Sequence, residues 1–491
     1  MKTPSQPAWA VVPDPPLDAR TVLIQLYWAA IKSVAPEPAL RAALEKLPPG
    51  VTRHRVWIIS VGKAAHPMAT AAVDFLASQD TEPAGGIIVA PRHLPSPHPH
   101  LEMYVGDHPK PGIHSFAAAR AIEALVSKVR SGDEAWVLLS GGTTSLIAAP
   151  DGALKPEEMT EMFELLHGSG LDIATMNLIR KRFTRWGAGR LATSLKAVKL
   201  RNFIISDVIG DDLAAIGSGP CVPDPSTATQ VRSILVAYKL WDRVPVSLRR
   251  YLHAVERDPE LETPKAGAKL FESVERRIVA SNHTALDAIV ARAKEYGYDP
   301  RIMSTTLAGE ASVAGHRVVA SLTGTCGSAT PPVAERAGRA CLIWGGETTV
   351  TFGEGARGTG GRCQELALSA ARDLAQAKNA RGSTLLACGT DGRDGATDAA
   401  GAIVDCETWE AIGRAGRDPA RDLATHDAYA ALDAAGALLR TDLTATNVMD
   451  VMIGVCGAPT PEMLKPRTPS SFARISGSFR RIVKGEDKGG P

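Results

Sequence analysis

Residues Gly345 to Asp398, GGETTVTFGEGARGTGGRCQELALSAARDLAQAKNARGSTLLACGTDGRDGATD, decide how the chain is read. The apolar run Ala340 to Trp344 stops at Gly345-Gly346, and a second run, Thr349 to Phe352, reads as another short strand. A loop with five glycines between Gly353 and Gly361 follows. A helical pattern then runs from Arg362 to Ala377, and Thr384 to Cys388 reads as the next strand. That strand ends in a turn carrying Asp391, Asp394 and Asp398. Glycines let backbone N–H groups approach an anion closely, and a helix N-terminus adds partial positive charge. Carboxylates after a strand suit a hard divalent cation. Phosphate with a metal is the first reading.

The same grammar recurs upstream. Arg55 to Ser60 ends at Val61-Gly62-Lys63-Ala64, Ala135 to Leu139 at Ser140-Gly141-Gly142, and Asn202 to Ile205 at Ser206-Asp207. Helical patterns cover Leu17 to Ser33, Met68 to Leu76, Ala117 to Arg130, Lys155 to Leu166 and Ile173 to Arg185. This alternation predicts an α/β fold of two three-layer domains with mainly parallel, Rossmann-like sheets. Ligands in such sheets gather at the carboxyl ends of the strands, which points to a site in the interdomain cleft. The polar stretch 256–268 reads as the linker and sets domains at 17–262 and 270–456. The Pro-rich, basic segment 457–491 reads as a poorly ordered tail.

The 491 residues allow two or three domains. A net charge of +2 offers no basic face, so a nucleic-acid partner is not expected. No apolar run approaches the roughly 20 residues of a membrane span, and the first residues lack the apolar core of a secretory signal. Seven scattered cysteines without a C-x-x-C pair read as reduced thiols. A cytoplasmic monomer or homodimer is expected.

Gly353-x-Gly355-x-x-Gly358 matches the dinucleotide glycine pattern, but the helix starts late and no acid stands about 20 residues on. A nicotinamide site is not expected. Lys63 at a strand-to-helix turn is placed to meet a phosphate. Ser140, Gly141, Gly142 and Ser145 suit an anion cradle. Asn177, Arg180 and Lys181 share a helix face, with Arg190 close by, and could grip a carboxylate. Asp207 follows a strand, Arg362 opens a helix, and Asp391 and Asp394 could hold Mg2+. Histidines 93, 98, 100, 108 and 114 lie in a Pro-rich segment without metal-ligand spacing and read as structural or surface residues.

The ordered blocks VGKAAHPMATA, GDHPKPG, LSGGTTSLIAAP, MNLIRKRF, GAGRLA, ISDVIGDDLAAIGSGPCVPDPST, SNHTAL, GGETTVTF, GGRCQELAL, GTDGRDGATDAAGAIVD and TATNVMD span Leu17 to Val455. Together they resemble the class II glycerate kinases with a MOFRL-type C-terminal domain. The resemblance implies transfer of phosphate from ATP to D-glycerate, giving 2-phosphoglycerate and ADP with Mg2+. It implies catalytic roles for Lys63 and Arg362. Beyond the resemblance, the position of Asp207 after a strand makes it the candidate for orienting the acceptor hydroxyl or taking its proton. Ser140, Gly141, Gly142, Ser145, Asn177, Arg180 and Arg190 would hold the acceptor. Gly345, Gly346, Glu347, Gly360, Gly361 and Thr390 would meet the nucleotide, and Asp391 and Asp394 the metal. The chain departs from the family pattern at Thr143 (usually Gly), Arg182 (His), Gly187 (Lys) and Cys363 (Asn), which bears on the acceptor. The alternatives are a kinase for another small hydroxy acid and a nucleotide-binding relative without activity.

Overall fold

A computed structural model describes residues 18–50, 53–152, 154–327, 339–353 and 358–456. The expected loose start, the tail 457–491 and the middle of the glycine loop, 354–357, lie outside the described residues.

The first sheet holds β1 (Val56–Val61), β2 (Gly85–Ala90), β3 (Leu101–Val105), β4 (Glu134–Leu139), β5 (Lys199–Ile205) and β6 (Val274–Ala280). Their order is β3-β2-β1-β4-β5-β6, and every pairing is parallel. β1, β2 and β4 are buried along their whole length, which is why they read as nearly unbroken apolar runs rather than alternating ones. This is the doubly wound order, in which the direction of winding reverses between β1 and β4.

The second sheet holds β7 (Asp299–Leu307), β8 (Ala340–Gly346), β9 (Ser383–Gly389), β10 (Ala399–Asp405), β11 (Leu438–Arg440) and β12 (Asp450–Cys456), ordered β11-β10-β9-β12-β8-β7. Here only β7 and β8 pair in parallel; the other four pairings are antiparallel. The α/β class and the two sheets stand, while the expectation of parallel pairing is corrected in this half. Between β9 and β10, connection length is the cause. Residues 390–398 between β9 and β10 carry no helix, and so short a link returns the chain antiparallel, because a parallel pair needs a long crossover. Thr349 to Phe352 is not a strand either; Thr349 makes one isolated bridge to Glu310.

The polar stretch 256–268 does not part the two sheets. β6 follows it and pairs with β5, where the buried Arg201 guanidinium meets Glu134 of β4 and Glu275 of β6. The chain crosses to the second sheet after Ala280, through helix Asn282–Glu295. Helix Ala19–Ser33 packs against that helix, burying Leu23, Leu26, Tyr27 and Ile31. Tyr27 Oη also donates to Gly389 O at the end of β9 (2.8 Å). Helix Ala19–Ser33 and β6 thus pack across the expected limits at 17–262 and 270–456. One continuous core joins the halves, with Ile58 and Phe203 of the first sheet beside Leu286, Ile343 and Ile453.

A helical layer is appended to the first sheet: Pro156–His167, Ile173–Phe183, Ala228–Ala237 and Val246–Arg257 close over their own apolar cluster. Arg182 is its polar pin. The fully buried guanidinium pairs with Asp224 (3.2 Å) and with Glu262, while Lys181 meets Asp224 at 2.8 Å. Burial alone would raise both carboxyls. Lys181 and the donors of Ser226 and Thr263 outweigh it at Asp224, and the donors of Ala228, Arg182 and Thr263 do so at Glu262, so each is held at about 2. Removing one partner of a buried pair leaves uncompensated charge. Arg182→Ala is expected to cost about 3 kcal/mol in denaturant melts. Both carboxyls sit below their ordinary values when folded, so their contribution is complete above the carboxylate range and lost as pH falls toward about 2. The gap between variant and parent should narrow across that window.

Among the cysteines, 221, 341, 363, 388 and 406 are free and Cys456 is disulfide-bonded, correcting the expectation of thiols throughout. No described helix is long and apolar enough to cross a membrane.

Candidate active site

The winding of the first sheet reverses between β1 and β4, and ligands of such sheets gather at the carboxyl ends of the strands there. Lys63 leaves β1 there, and Ser140-Gly141-Gly142 leaves β4. The two turns are stitched together: Lys63 N donates to Gly141 O (2.9 Å), and Ala64 N donates to Ser140 Oγ (3.0 Å). Asp207 leaves β5 and leans over Gly141. A Cβ at position 141 would stand 2.0 Å from Asp207 Oδ2, so glycine is required by the carboxylate's approach. Burial pushes the Asp207 carboxyl up, opposed by the Lys63 ammonium. His108, before helix Ile113–Val126, lies against Gly142 and Lys63. Burial first, and the Lys63 charge second, hold its imidazole below the usual value.

The second half faces this from the other sheet. Glu347 follows β8, Arg362 opens helix Arg362–Gln376, and Asp450 opens β12. Arg362 donates through Nε (2.5 Å) and Nη2 (2.9 Å) to the two oxygens of the fully buried Asp450, and its Nη1 reaches Glu347 at 2.9 Å. Burial raises the Glu347 carboxyl and Arg362 lowers it, while Asp450, Asp207 and Lys63 also act on it. Lys63 and Asp207 from one half, and Arg362 and Asp450 from the other, thus share one electrostatic neighbourhood. Asp450→Asn keeps one acceptor for the guanidinium and loses the bidentate clamp. It is expected to lower kcat about tenfold or more with little change in KM, since Asp450 acts through Arg362. Steady-state kinetics would show the split.

Other expected site residues also make contacts within the scaffold. Arg190 meets the carbonyls of Lys181, Thr184 and Arg182, Tyr251 Oη and Asp151 (3.1 Å). Thr390 Oγ1 donates to Met449 O (2.6 Å) and accepts from Val448 N (2.8 Å), tying the end of β9 to the approach to β12. Gly345 is glycine because Asn282 Oδ1 would lie 1.7 Å from a Cβ there. Gly346 pairs with Asp450 across the strands. Ser145 Oγ donates to Gly142 O (3.1 Å). Gly360 and Gly361 do lead straight into Arg362. Arg180 sits over the Phe163 ring (4.9 Å), touches Asn177 at 3.5 Å, and keeps a buried Nε with no hydrogen-bond partner.

The three acids of the turn are not brought together. Asp394 caps helix Arg362–Gln376, accepting from Cys363 N (3.1 Å) and Gln364 N (2.8 Å). Burial and the negative charge of Asp450 raise its carboxyl to about 7. Asp391 accepts from Arg393 N (3.0 Å), and Asp398 pairs with Arg440 at the surface. Each Asp394 oxygen thus accepts one backbone N–H and, among the described residues, these acids form no group of three ligands within 4.8 Å of one another.

The departures from the family pattern also turn inward. Thr143 is fully buried and donates to Val61 O and Ser140 O. Arg182 is the pin described above. A Cβ at Gly187 would meet Thr184 Oγ1 at 2.4 Å. Cys363 is fully buried, and its thiol is pushed well up by burial. Sequence reasoning missed His108 and Asp450. Both stood inside the quoted blocks GDHPKPG and TATNVMD, and an acid directly before the apolar run VMIGV was the available signal for Asp450.

A doubly wound sheet with a lysine at its switch point faces an arginine clamped by acids, an arrangement suited to phosphoryl transfer, and similarity to known proteins places the chain among the phosphotransferases acting on an alcohol. Residues 22–253 match a family described as a domain of unknown function (DUF4147), and residues 340–450 match the MOFRL family. The glycerate 2-kinase of Pyrococcus horikoshii is 34% identical over 452 residues, covering 89% of this chain and 98% of that one. The crystal structure of glycerate kinase from Thermotoga maritima superposes with a TM-score of 0.77 at 34% identity, covering 89% and 99% of the two chains. A relative from Agrobacterium vitis, 37% identical across 89% of this chain and 94% of its own, carries a provisional hydroxypyruvate reductase name. The chain belongs to the glycerate kinase family with a MOFRL C-terminal domain.

Proposed function

We propose that the protein transfers the terminal phosphoryl group of ATP to the 2-hydroxyl of D-glycerate, releasing ADP and 2-phosphoglycerate. The observation that carries this reading is the placing of Lys63 and Asp207 around the Gly141-Gly142 turn, with Arg362 bridging Asp450 and Glu347 in the other half. Phosphoryl transfer is catalysed mainly by positioning and charge neutralisation. Lys63 and Arg362 flank the moving phosphoryl group from opposite sides and offset the charge on its oxygens. Asp207, its carboxyl raised by burial, takes the proton of the attacking hydroxyl as the oxygen–phosphorus bond forms and the bond to ADP breaks. The peptide N–H groups of Gly141 and Gly142 and the guanidinium of Arg180 would hold the glycerate carboxylate. Gly360 and Gly361 offer backbone to the nucleotide phosphates beside Arg362.

An ADP-release assay over a panel of small hydroxy acids, with the product read by phosphorus NMR, tests this. Phosphate at C2 of D-glycerate is expected. Release with another acid only, or silence with every acid, overturns the reading. NADH oxidation with hydroxypyruvate would favour the reductase name instead.

A further inference from the structure

We propose that Glu82, His98 and His100 form a binding site for a borderline first-row divalent cation, with Zn2+ the reference ion. One ligand atom of each residue lies within 4.8 Å of the others, and this is the group of such side chains that meets that spacing among the described residues. Two imidazoles and a carboxylate are the donor set Zn2+ favours and Mg2+ does not.

The cluster stands at the amino ends of β2 and β3, the two strands at one edge of the first sheet, whereas the candidate active site lies at the carboxyl ends. The site is therefore separate from phosphoryl transfer. Its backbone is held in place without a metal. Prolines 95, 97 and 99 restrict the loop, Ser96 Oγ donates to His98 O (2.9 Å) and Leu101 O (2.7 Å), and Gly86 N donates to His100 O (3.0 Å). The rings meet edge to face with centroids 4.8 Å apart.

The two histidines are not equivalent. His100 Nδ1 donates to Pro83 O (2.9 Å), the outer hydrogen bond that fixes the tautomer of a metal-ligating imidazole and leaves Nε2 with its lone pair. His98 Nδ1 accepts from His100 N (3.1 Å), so binding through this ring gives up that hydrogen bond. His100 is the stronger ligand and His98 the weaker. A bound cation clips the start of β2 to the start of β3 and stabilises the folded state by mass action.

The test is calorimetric titration of full-length, tag-free protein with ZnCl2 in excess Mg2+, paired with thermal melts. One equivalent of Zn2+ is expected to bind and raise the melting temperature. His100→Gln should weaken binding about tenfold or more, at least the loss typical of removing only an outer hydrogen-bond partner of a ligand. His98→Gln and Glu82→Gln should weaken it less, with kinase turnover unchanged in all three as the check on folding. No saturable binding by the parent overturns the proposal, and so does parent-like affinity in the His98→Gln/His100→Gln double variant.

Discussion

Arg362→Ala is expected to lower kcat by about 10²–10³ or more, the loss typical of removing one preorganised charge from a reacting centre. Stability should fall as well. Asp450 is fully buried and takes two hydrogen bonds from this guanidinium, so truncation leaves a buried carboxylate unpaired, at roughly 3–5 kcal/mol. Arg362→Lys separates the effects. An ammonium keeps the charge but lacks the planar fork that meets both Asp450 oxygens, so stability should recover in part while kcat stays low. Kinetics and denaturant melts on both variants check this. Normal turnover in the alanine variant removes Arg362 from the reaction.

The second large effect belongs to Lys63. Lys63→Ala should also lose about 10²–10³ in kcat, and it should reshape the pH profile. Burial raises the Asp207 carboxyl and Lys63 opposes that rise, so removing the ammonium lets the carboxyl move further up. A base that works ionised then becomes available only at higher pH, and the acid limb of kcat against pH shifts upward. His108 moves the same way, because Lys63 also disfavours its protonated form. An acid limb that stays in place or moves down would separate Asp207 and His108 from the limb and sink the assignment of the base.

The legible parts of this molecule were those whose signal is local. Val56–Val61, Glu134–Leu139 and Ser383–Gly389 lie within a residue or two of their expected limits, because strands buried on both faces must be apolar throughout. Helix Arg362–Gln376 was equally plain from its apolar spacing. Lys63, Ser140-Gly141-Gly142 and Asp207 were found by standing at strand ends, and the switch point of the first sheet gathers them. The candidate roles of Arg190, Thr390 and Asp394 were not decidable this way. Each is a polar residue near a turn, and whether its donors or acceptors remain free depends on carbonyls and amides brought in from elsewhere. Asp394 caps a helix that begins 32 residues before it in the chain, and Arg190 serves the end of helix Ile173–Phe183.

The stretch from Gly345 to Asp398 determined, from sequence alone, that strand, glycine loop, helix and strand succeed one another, since periodicity and glycine placement are properties of neighbours. What it could not determine was direction and company. That β10 returns antiparallel to β9, that β6 joins the first sheet past a polar stretch resembling a linker, and that helix Ala19–Ser33 serves the second sheet are pairings between segments far apart in the chain. Long-range pairing is chosen by which buried faces and hydrogen-bond edges fit together, and no local pattern records it. The same holds for Asp450, whose carboxylate acquires its purpose only when β12 sets it beside Arg362.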